Sequence, residues 1–363
     1  MLVRALSLVL VGGCIAATAC GGDDDATATP TGVGGSAAAG KAGSGSAGKA
    51  GATEAGGTGE MAGASEGGAG NTEDPHVARG SYLVNHVAAC PDCHTPRDDM
   101  GAPILDKFLS GAECFVQLPN GDCLNSRNLT SDATGLANFS DDEIKDMIQN
   151  GMAPTADGGK KPLNPVMPYY VYHNISADDI DDIVAYLRTV PPVEHDVPAD
   201  ADSFTVPAAA NPVDPATIPM PAEDFADQAS ALRGRYLAGV VGVCLECHTK
   251  HEDAGSADVI KPENFFAGGE LFQVGLPNNP VSANLTSDSD TGLGDWTTDQ
   301  IVKVLLEGVD DEGKGICPPM PVGPMGAFGG LTQDDATDIA NYIKSLPAIS
   351  NQIDDMCSFP PGQ

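Results

Sequence analysis

Apolar residues along the chain fall into short stripes of helical spacing, and the stripes come in two matching sets. Tyr82, Leu83, His86 and Val87 make the first stripe, and Tyr236, Leu237, Val240 and Val241 make its counterpart. Spacing of three to four residues puts each group on one face of a helix. A second helix is predicted in each set from a capping-box start, Ser140-Asp141-Asp142-Glu143 and Thr297-Thr298-Asp299-Gln300. Gly151 and Gly308 mark where those helices stop. A loop rich in proline and glycine follows, then a closing amphipathic helix. Ile180, Ile183, Val184 and Leu187 line one side of the first closing helix, and Ala336, Ile339, Ala340 and Ile343 line the second. Pro191 and Pro347 end them. The pattern predicts an all-α chain.

The two sets are copies. Arg79-Gly80-Ser81-Tyr82-Leu83 recurs as Arg233-Gly234-Arg235-Tyr236-Leu237 (233 − 79 = 154), and Asn128-Leu129-Thr130-Ser131-Asp132 as Asn284-Leu285-Thr286-Ser287-Asp288 (284 − 128 = 156). Thr134-Gly135-Leu136 recurs as Thr291-Gly292-Leu293, and Ala185-Tyr186-Leu187-Arg188 as Asn341-Tyr342-Ile343-Lys344. A near-constant offset of domain size predicts a tandem duplication. The units are expected over 74–193 and 227–351, joined by a Pro/Ala-rich linker over 194–226, with a C-terminal tail over 352–363.

The start of the chain has a different texture. Arg4, the apolar run Ala5–Val11 and small residues up to Ala19 read as an export signal over residues 1–20. Cys20 follows Ala17-Thr18-Ala19 and resembles the lipidated first residue of a mature bacterial lipoprotein, with Cys14 as the competing site. Residues 21–73 are mostly Gly, Ala, Ser and Thr with scattered charges. They lack the apolar mass for a core and predict a disordered tether. No stretch approaches the roughly 18 apolar residues that span a bilayer, so a lipid would be the membrane attachment.

A formal net charge of −33 argues against nucleic acid or anionic lipid as partners. It suits either the steering of a basic redox partner or a plain solvated surface. Cysteine usage is more telling. Of ten cysteines, Cys14 and Cys20 fall in the signal region and four fall in two C-x-x-C pairs. Cys114, Cys123, Cys317 and Cys357 remain, two in each unit, and an exported protein meets an oxidising compartment. Disulfides Cys114–Cys123 and Cys317–Cys357 are expected.

The two C-x-x-C pairs carry the chemistry. Cys90-Pro91-Asp92-Cys93-His94 recurs as Cys244-Leu245-Glu246-Cys247-His248. C-x-x-C-H is the attachment motif of c-type haem. The cysteine sulfurs bond to the porphyrin edge, and the histidine beside them supplies an axial ligand to iron. A thioredoxin-like pair would need a strand–helix–strand context, and a structural zinc site would need a second closely spaced pair. Neither context is present. Tyr82, Tyr236, Phe139 and Trp296 read most simply as core aromatics. Asn128 and Asn284 read as loop-stabilising side chains, and His76, His195 and His251 as surface histidines.

The order helix, C-x-x-C-H, long loop, helix, methionine loop, helix resembles the class I cytochrome c fold, which implies two tandem domains of that kind. The Asn-Leu-Thr-Ser-Asp segments followed by Thr-Gly-Leu look like a stretch of the cytochrome subunits of bacterial alcohol and gluconate dehydrogenases. Those subunits carry three haems, whereas this chain has two motifs. The resemblance implies a methionine as second axial ligand. Pro165-Val166-Met167-Pro168-Tyr169 offers Met167, with His173 as the alternative. Cys317-Pro318-Pro319-Met320-Pro321 offers Met320, while spacing from the preceding glycine favours Met325. The expected cofactors are thus two covalent haems, on Cys90, Cys93 and His94 and on Cys244, Cys247 and His248, with iron ligands His94, Met167, His248 and Met320. The expected function is an exported dihaem cytochrome carrying electrons between a periplasmic dehydrogenase or other donor and a respiratory acceptor, with no catalytic residue. A dihaem peroxidase is the rival. It would need an exchangeable iron site and an acid–base group above it.

Overall fold

The structure is a computed structural model describing residues 74–98, 101–253, 256–272, 279–354 and 358–359. The expected signal with Cys14 and Cys20, the tether, and Cys357 with its pairing to Cys317 lie outside those residues.

Asp74 caps α1 (Pro75–Tyr82) by accepting from the His76 amide at 3.0 Å, and Pro75 takes the first helical position, where an N–H would be unpaired. The helix widens into one π turn over Leu83–Val87. Ala89 then turns left-handed (φ 52°), and the chain restarts as the short α2 (Cys90–His94). Strands β1 (Ala112–Gln117) and β2 (Cys123–Ser126) follow, then α3 (Asp141–Asn150), β3 (Met152–Pro154), β4 (Lys160–Pro162), α4 (Tyr169–Tyr172) and α5 (Ala177–Thr189). The second half runs α6 (Gln228–Tyr236), a π turn over Leu237–Val241, left-handed Val243 (φ 46°), α7 (Cys244–Cys247), α8 (Thr298–Glu307), β5 (Gly315–Ile316), α9 (Gln333–Ser345) and β6 (Ser358–Phe359). A β-branched residue at positive φ is a strained arrangement. Both halves place a left-handed residue immediately before the motif, which ties that strain to the site.

The chain is not all-α. Among the described residues three two-stranded antiparallel sheets accompany the helices: β1 with β2 (Val116 opposite Leu124), β3 with β4 (Ala153 opposite Lys161) and β5 with β6 (Gly315 opposite Phe359). Turn chemistry explains the first two. Asn120-Gly121 and Asp157-Gly158 put glycines at φ 92° and 83° between the strands, the backbone a tight turn needs. A disulfide joins Cys114 to Cys123 across the first hairpin, Cα to Cα 4.6 Å.

The helices follow the capping signals. Ser140 and Thr297 each form a full capping box, with Glu143 and Gln300, and α3 and α8 end at left-handed Gly151 and Gly308. α1 crosses α5, and α6 crosses α9, at glycines so close that a Cβ on Gly80 would lie 1.9 Å from the Asp182 carbonyl oxygen, and one on Gly234 1.8 Å from that of Asp338. These crossings bury Leu83, Val84, Ile183 and Val184 in one half and Ala231, Ile339, Ala340 and Ile343 in the other, within one continuous apolar core. Each large side chain so buried contributes about 1.5–3 kcal/mol.

The Pro/Ala-rich segment 194–226 packs as a strap along both halves. Ile218 is fully buried under Gly239, and Tyr342 donates its hydroxyl to the Pro219 carbonyl at 3.0 Å. Toward the first half, the Ala210 amide donates to the Tyr169 hydroxyl (2.8 Å) and the Asn125 side chain donates to the Pro198 and Ala199 carbonyls. Proline and alanine were read as spacer composition, but three of the strap's apolar residues, Phe204, Val213 and Ile218, are buried, while Met220 stays exposed.

Candidate functional site

The two pentapeptides fold alike. Burial lowers the proton affinity of both His94 and His248, so each ring is neutral near pH 7. His94 Nδ1 lies 2.7 Å from the Arg127 carbonyl, and His248 Nδ1 lies 2.8 Å from that of Ala283. A carbonyl only accepts, so Nδ1 carries the proton and Nε2 is left as the basic nitrogen. That is the usual arrangement behind a metal-ligating imidazole. Cys90, Cys93, Cys244 and Cys247 are free thiols, standing in for the thioether sulfurs of a haem-bearing chain. Burial pushes Cys90, Cys93 and Cys244 up to about 12. Two unpaired thiols and a neutral, oriented imidazole form the donor set a covalent haem takes, so the residues present fit that group.

What orients each histidine is the Asn-Leu-Thr segment. Asn128 Oδ1 accepts from the Thr130 amide (2.9 Å) and hydroxyl (2.8 Å), while its Nδ2 donates to Thr134 Oγ1 (3.0 Å) and the Val193 carbonyl (2.9 Å). Asn284 repeats the set with Thr286 (3.0 and 2.7 Å), Thr291 (3.1 Å) and the Ile349 carbonyl (2.8 Å). Each asparagine directly follows the residue whose carbonyl holds the histidine, so the network fixes that carbonyl. Glycans have no place here, because Asn128 and Asn284 are buried.

Thr95 and Thr249 were not singled out in the sequence. Both are buried, and their hydroxyls accept from the Leu109 and Phe266 amides at 3.1 Å, tying the residue after each histidine to the following loop. Their recurrence at the shared offset was the available signal.

The methionines separate clearly. Met167 and Met320 are half-buried against the core, whereas Met325 is 93% exposed. His173 faces outward, with Nδ1 3.1 Å from the Gln149 carbonyl and 3.0 Å from Asn150 Oδ1.

The halves clasp each other reciprocally. Tyr82 donates its hydroxyl to Asp335 (2.5 Å) and accepts from the Thr332 amide (3.2 Å) at the start of α9. Tyr236 donates to Asp179 (2.7 Å) and accepts from the Ser176 amide (3.1 Å) at the start of α5. Neither tyrosine is plain core: each finishes the N-terminal cap of the other half's closing helix. Nearer the motifs, the Tyr170 hydroxyl donates to Glu246 Oε1 at 3.3 Å. Tyr172 donates to the Ala88 carbonyl at 3.2 Å.

The charges around the two motifs differ. At the first, Asp92 pairs with Arg97 (3.1 Å) and Arg127 with Asp200 (2.6 Å), with each side chain about a third or more exposed. At the second, Glu246 is 13% exposed, with Oε2 3.1 Å from Cys247 Sγ and Oε1 3.0 Å from His251 Nε2. Glu270 is 3.6 Å from His251 Nδ1. Burial opposes the charge on Glu246, but His251 and hydrogen bonds from Cys247 and Tyr170 hold its carboxyl below the usual range. Burial also opposes the charge on His251, which the two glutamates nevertheless raise to about 9. His251 is therefore an ion-pair partner rather than a free surface histidine.

Residues 77–191 match the model of the cytochrome c family, a class whose members bind haem iron covalently. The match stops short of the second half, so it covers one of the two expected domains. Similarity to curated proteins extends further. The chain is 28% identical over 302 residues to the cytochrome c subunit of the quinone alcohol dehydrogenase of Gluconobacter oxydans, covering 77% of this chain and 57% of that one. It is 29% identical over 313 residues to the gluconate 2-dehydrogenase cytochrome c subunit of Pantoea cypripedii, covering 76% and 60%. It is 24% identical over 269 residues to a diheme cytochrome c-type protein of Cereibacter sphaeroides, covering 72% and 83%. The chain thus spans about three-fifths of the length of these dehydrogenase subunits. The relatives support an electron-carrier role. No helix among the described residues is long and apolar enough to cross a membrane.

Proposed function

We propose that this chain is an exported cytochrome with two covalent haems that passes single electrons between redox proteins, with a dehydrogenase as donor and a respiratory component as acceptor. The carrying observation is the duplicated histidine setting. Two imidazoles, His94 half-buried and His248 buried, are held by backbone carbonyls at 2.7 and 2.8 Å, each beside two free thiols. Cys90 and Cys93 hold one haem and Cys244 and Cys247 the other. His94 and Met167 would hold the iron of the first, and His248 and Met320 that of the second. Haem iron supplies one-electron exchange. The chain's own residues keep the sites dry, fix the imidazoles and leave no exchangeable position for a substrate. The domains are those expected from the repeats, over 74–193 and 227–351. Cys20 is the proposed lipid anchor, and Cys317–Cys357 is a second proposed disulfide.

Intact mass of the exported protein is expected to exceed the polypeptide by two haems. An excess of one haem or none sinks the reading. The unmodified protein should also bind cyanide slowly and turn over no peroxide; ready binding and turnover would make the dihaem peroxidase the better account.

Labelling of free thiols in denatured, unreduced protein is expected to miss Cys114, Cys123, Cys317 and Cys357. Labelling of Cys317 and Cys357 alone would remove the second disulfide and leave the first. Labelling of Cys114 and Cys123 would contradict the bond across the first hairpin.

A further inference from the structure

The two attachment motifs are alike in backbone and differ in charge. The residue whose carbonyl holds the histidine is Arg127 at the first site and uncharged Ala283 at the second. The third residue of the pentapeptide is acidic in both. Asp92 pairs through Oδ1 with the Arg97 guanidinium, while its Oδ2 is buried without a partner; burial raises its carboxyl and Arg97 offsets the charge it carries. Glu246 is 13% exposed and in contact with the Cys247 sulfur, and its counter-ion, His251, is shared with Glu270. Counting formal charges with His251 protonated, Asp92 and Arg97 cancel, as do Arg127 and Asp200. The Glu246–His251–Glu270 group keeps one negative charge, in a setting with less water to screen it.

We propose that this group makes the second haem the lower-potential centre and sets the internal direction of electron flow, from the second half to the first. The inference rests on both motifs bearing haem. Negative charge beside a haem favours its ferric form, because that form carries one more positive charge than the ferrous. With haem bound at both motifs, the transfer would move one electron and no atoms, the second site being oxidised as the first is reduced. The halves touch beside the motifs. Tyr170, three residues beyond Met167 of the first half, donates to Glu246 of the second at 3.3 Å. A Cβ on Gly242, in the second half, would lie 3.5 Å from the Val87 carbonyl of the first. Glu246 acts through the haem it adjoins and is a positioning residue for charge; it contacts no substrate.

Potentiometric titration of the full chain tests this. The centres are assigned by the band lost in Met320→Ala. The wild type is expected to show two midpoints, the second haem's below the first's. Glu246→Gln should raise the second midpoint by about 59 mV, a tenfold change in its oxidised-to-reduced ratio, and the first by less. Arg127→Gln should lower the first midpoint by about threefold in the same ratio, since that charge is more exposed and paired. A second midpoint at or above the first overturns the proposal. So does a Glu246→Gln protein, loaded with two haems, whose second midpoint is unmoved or moves less than the first. A wild-type mass showing fewer than two haems instead removes the reading beneath it, and the two failures are read from separate measurements.

Discussion

Met320→Ala is expected to abolish the far-red methionine–iron band of the second haem, lower its potential and open the site to cyanide, while Met325→Ala leaves all three unchanged. Chain spacing alone favoured Met325, which lies 17 residues after Gly308 (325 − 308 = 17), against 16 for Met167 after Gly151 (167 − 151 = 16). Burial points the other way. Met325 is 93% exposed, with its side chain at the tip of a turn held by the Gly326 amide donating to the Gly323 carbonyl. Met320 packs on the core, and the Val322 amide donates to its carbonyl at 3.0 Å. A thioether on iron favours the ferrous state, and axial ligands spread haem potentials over about 0.8 V. The drop on losing Met320 should therefore exceed the tenfold change expected from one nearby charge. Met167→Ala should do the same to the first haem. Optical spectra and a redox titration of the three variants decide it. A second haem altered by Met325→Ala and not by Met320→Ala would transfer the ligand role while leaving the carrier reading intact.

The helices and the motifs were legible because their signals are local. A capping box needs four residues, and Ser140–Glu143 and Thr297–Gln300 close as their letters imply. The histidine settings were half legible. The motif names the imidazole, and the repeated Asn-Leu-Thr marks the segment beneath it. That the carbonyls of Arg127 and Ala283 meet the rings requires a contact across more than 30 residues. The hairpins were missed although Asn120-Gly121 and Asp157-Gly158 were present. Strands of three to six residues carry little periodicity, and the helical pattern on either side dominated the reading. The strap was missed for a related reason: three inward apolar residues in a Pro/Ala-rich stretch leave composition unchanged and decide packing. Tyr82 and Tyr236 read as core because their partners, Asp335 and Asp179, lie in the opposite half. No pattern within one copy predicts a contact between copies.

Gly80→Ala is expected to destabilise the protein by about 1–2 kcal/mol, the net of two opposed effects. Replacing a helical glycine by alanine gains about 1 kcal/mol of helix propensity at an unobstructed site. Here the new methyl would sit 1.9 Å from the Asp182 carbonyl oxygen and 2.5 Å from its carbon, both backbone atoms of α5, with Tyr186 Cβ at 2.8 Å. Backbone inside a helix cannot rotate aside as a side chain can, so α1 must lift off α5 by more than 1 Å. Overpacking of this kind costs about 1–3 kcal/mol, occasionally more. The same lift would loosen Leu83, Val84 and Val87, all essentially fully buried within the next two turns. It would also displace Arg79 from Asp179 (3.0 Å) and Tyr82 from Asp335. Because α1 runs through the π turn into Cys90, the displacement reaches the attachment motif, and haem loading should fall with stability. Gly234→Ala meets the Asp338 carbonyl at 1.8 Å and should behave alike. Denaturant midpoints of the two variants and the parent, with haem content measured in parallel, provide the check. A Gly80→Ala protein as stable as the parent, or more so, would show that helix propensity outweighs the contact and that α1 and α5 are not held at backbone distance.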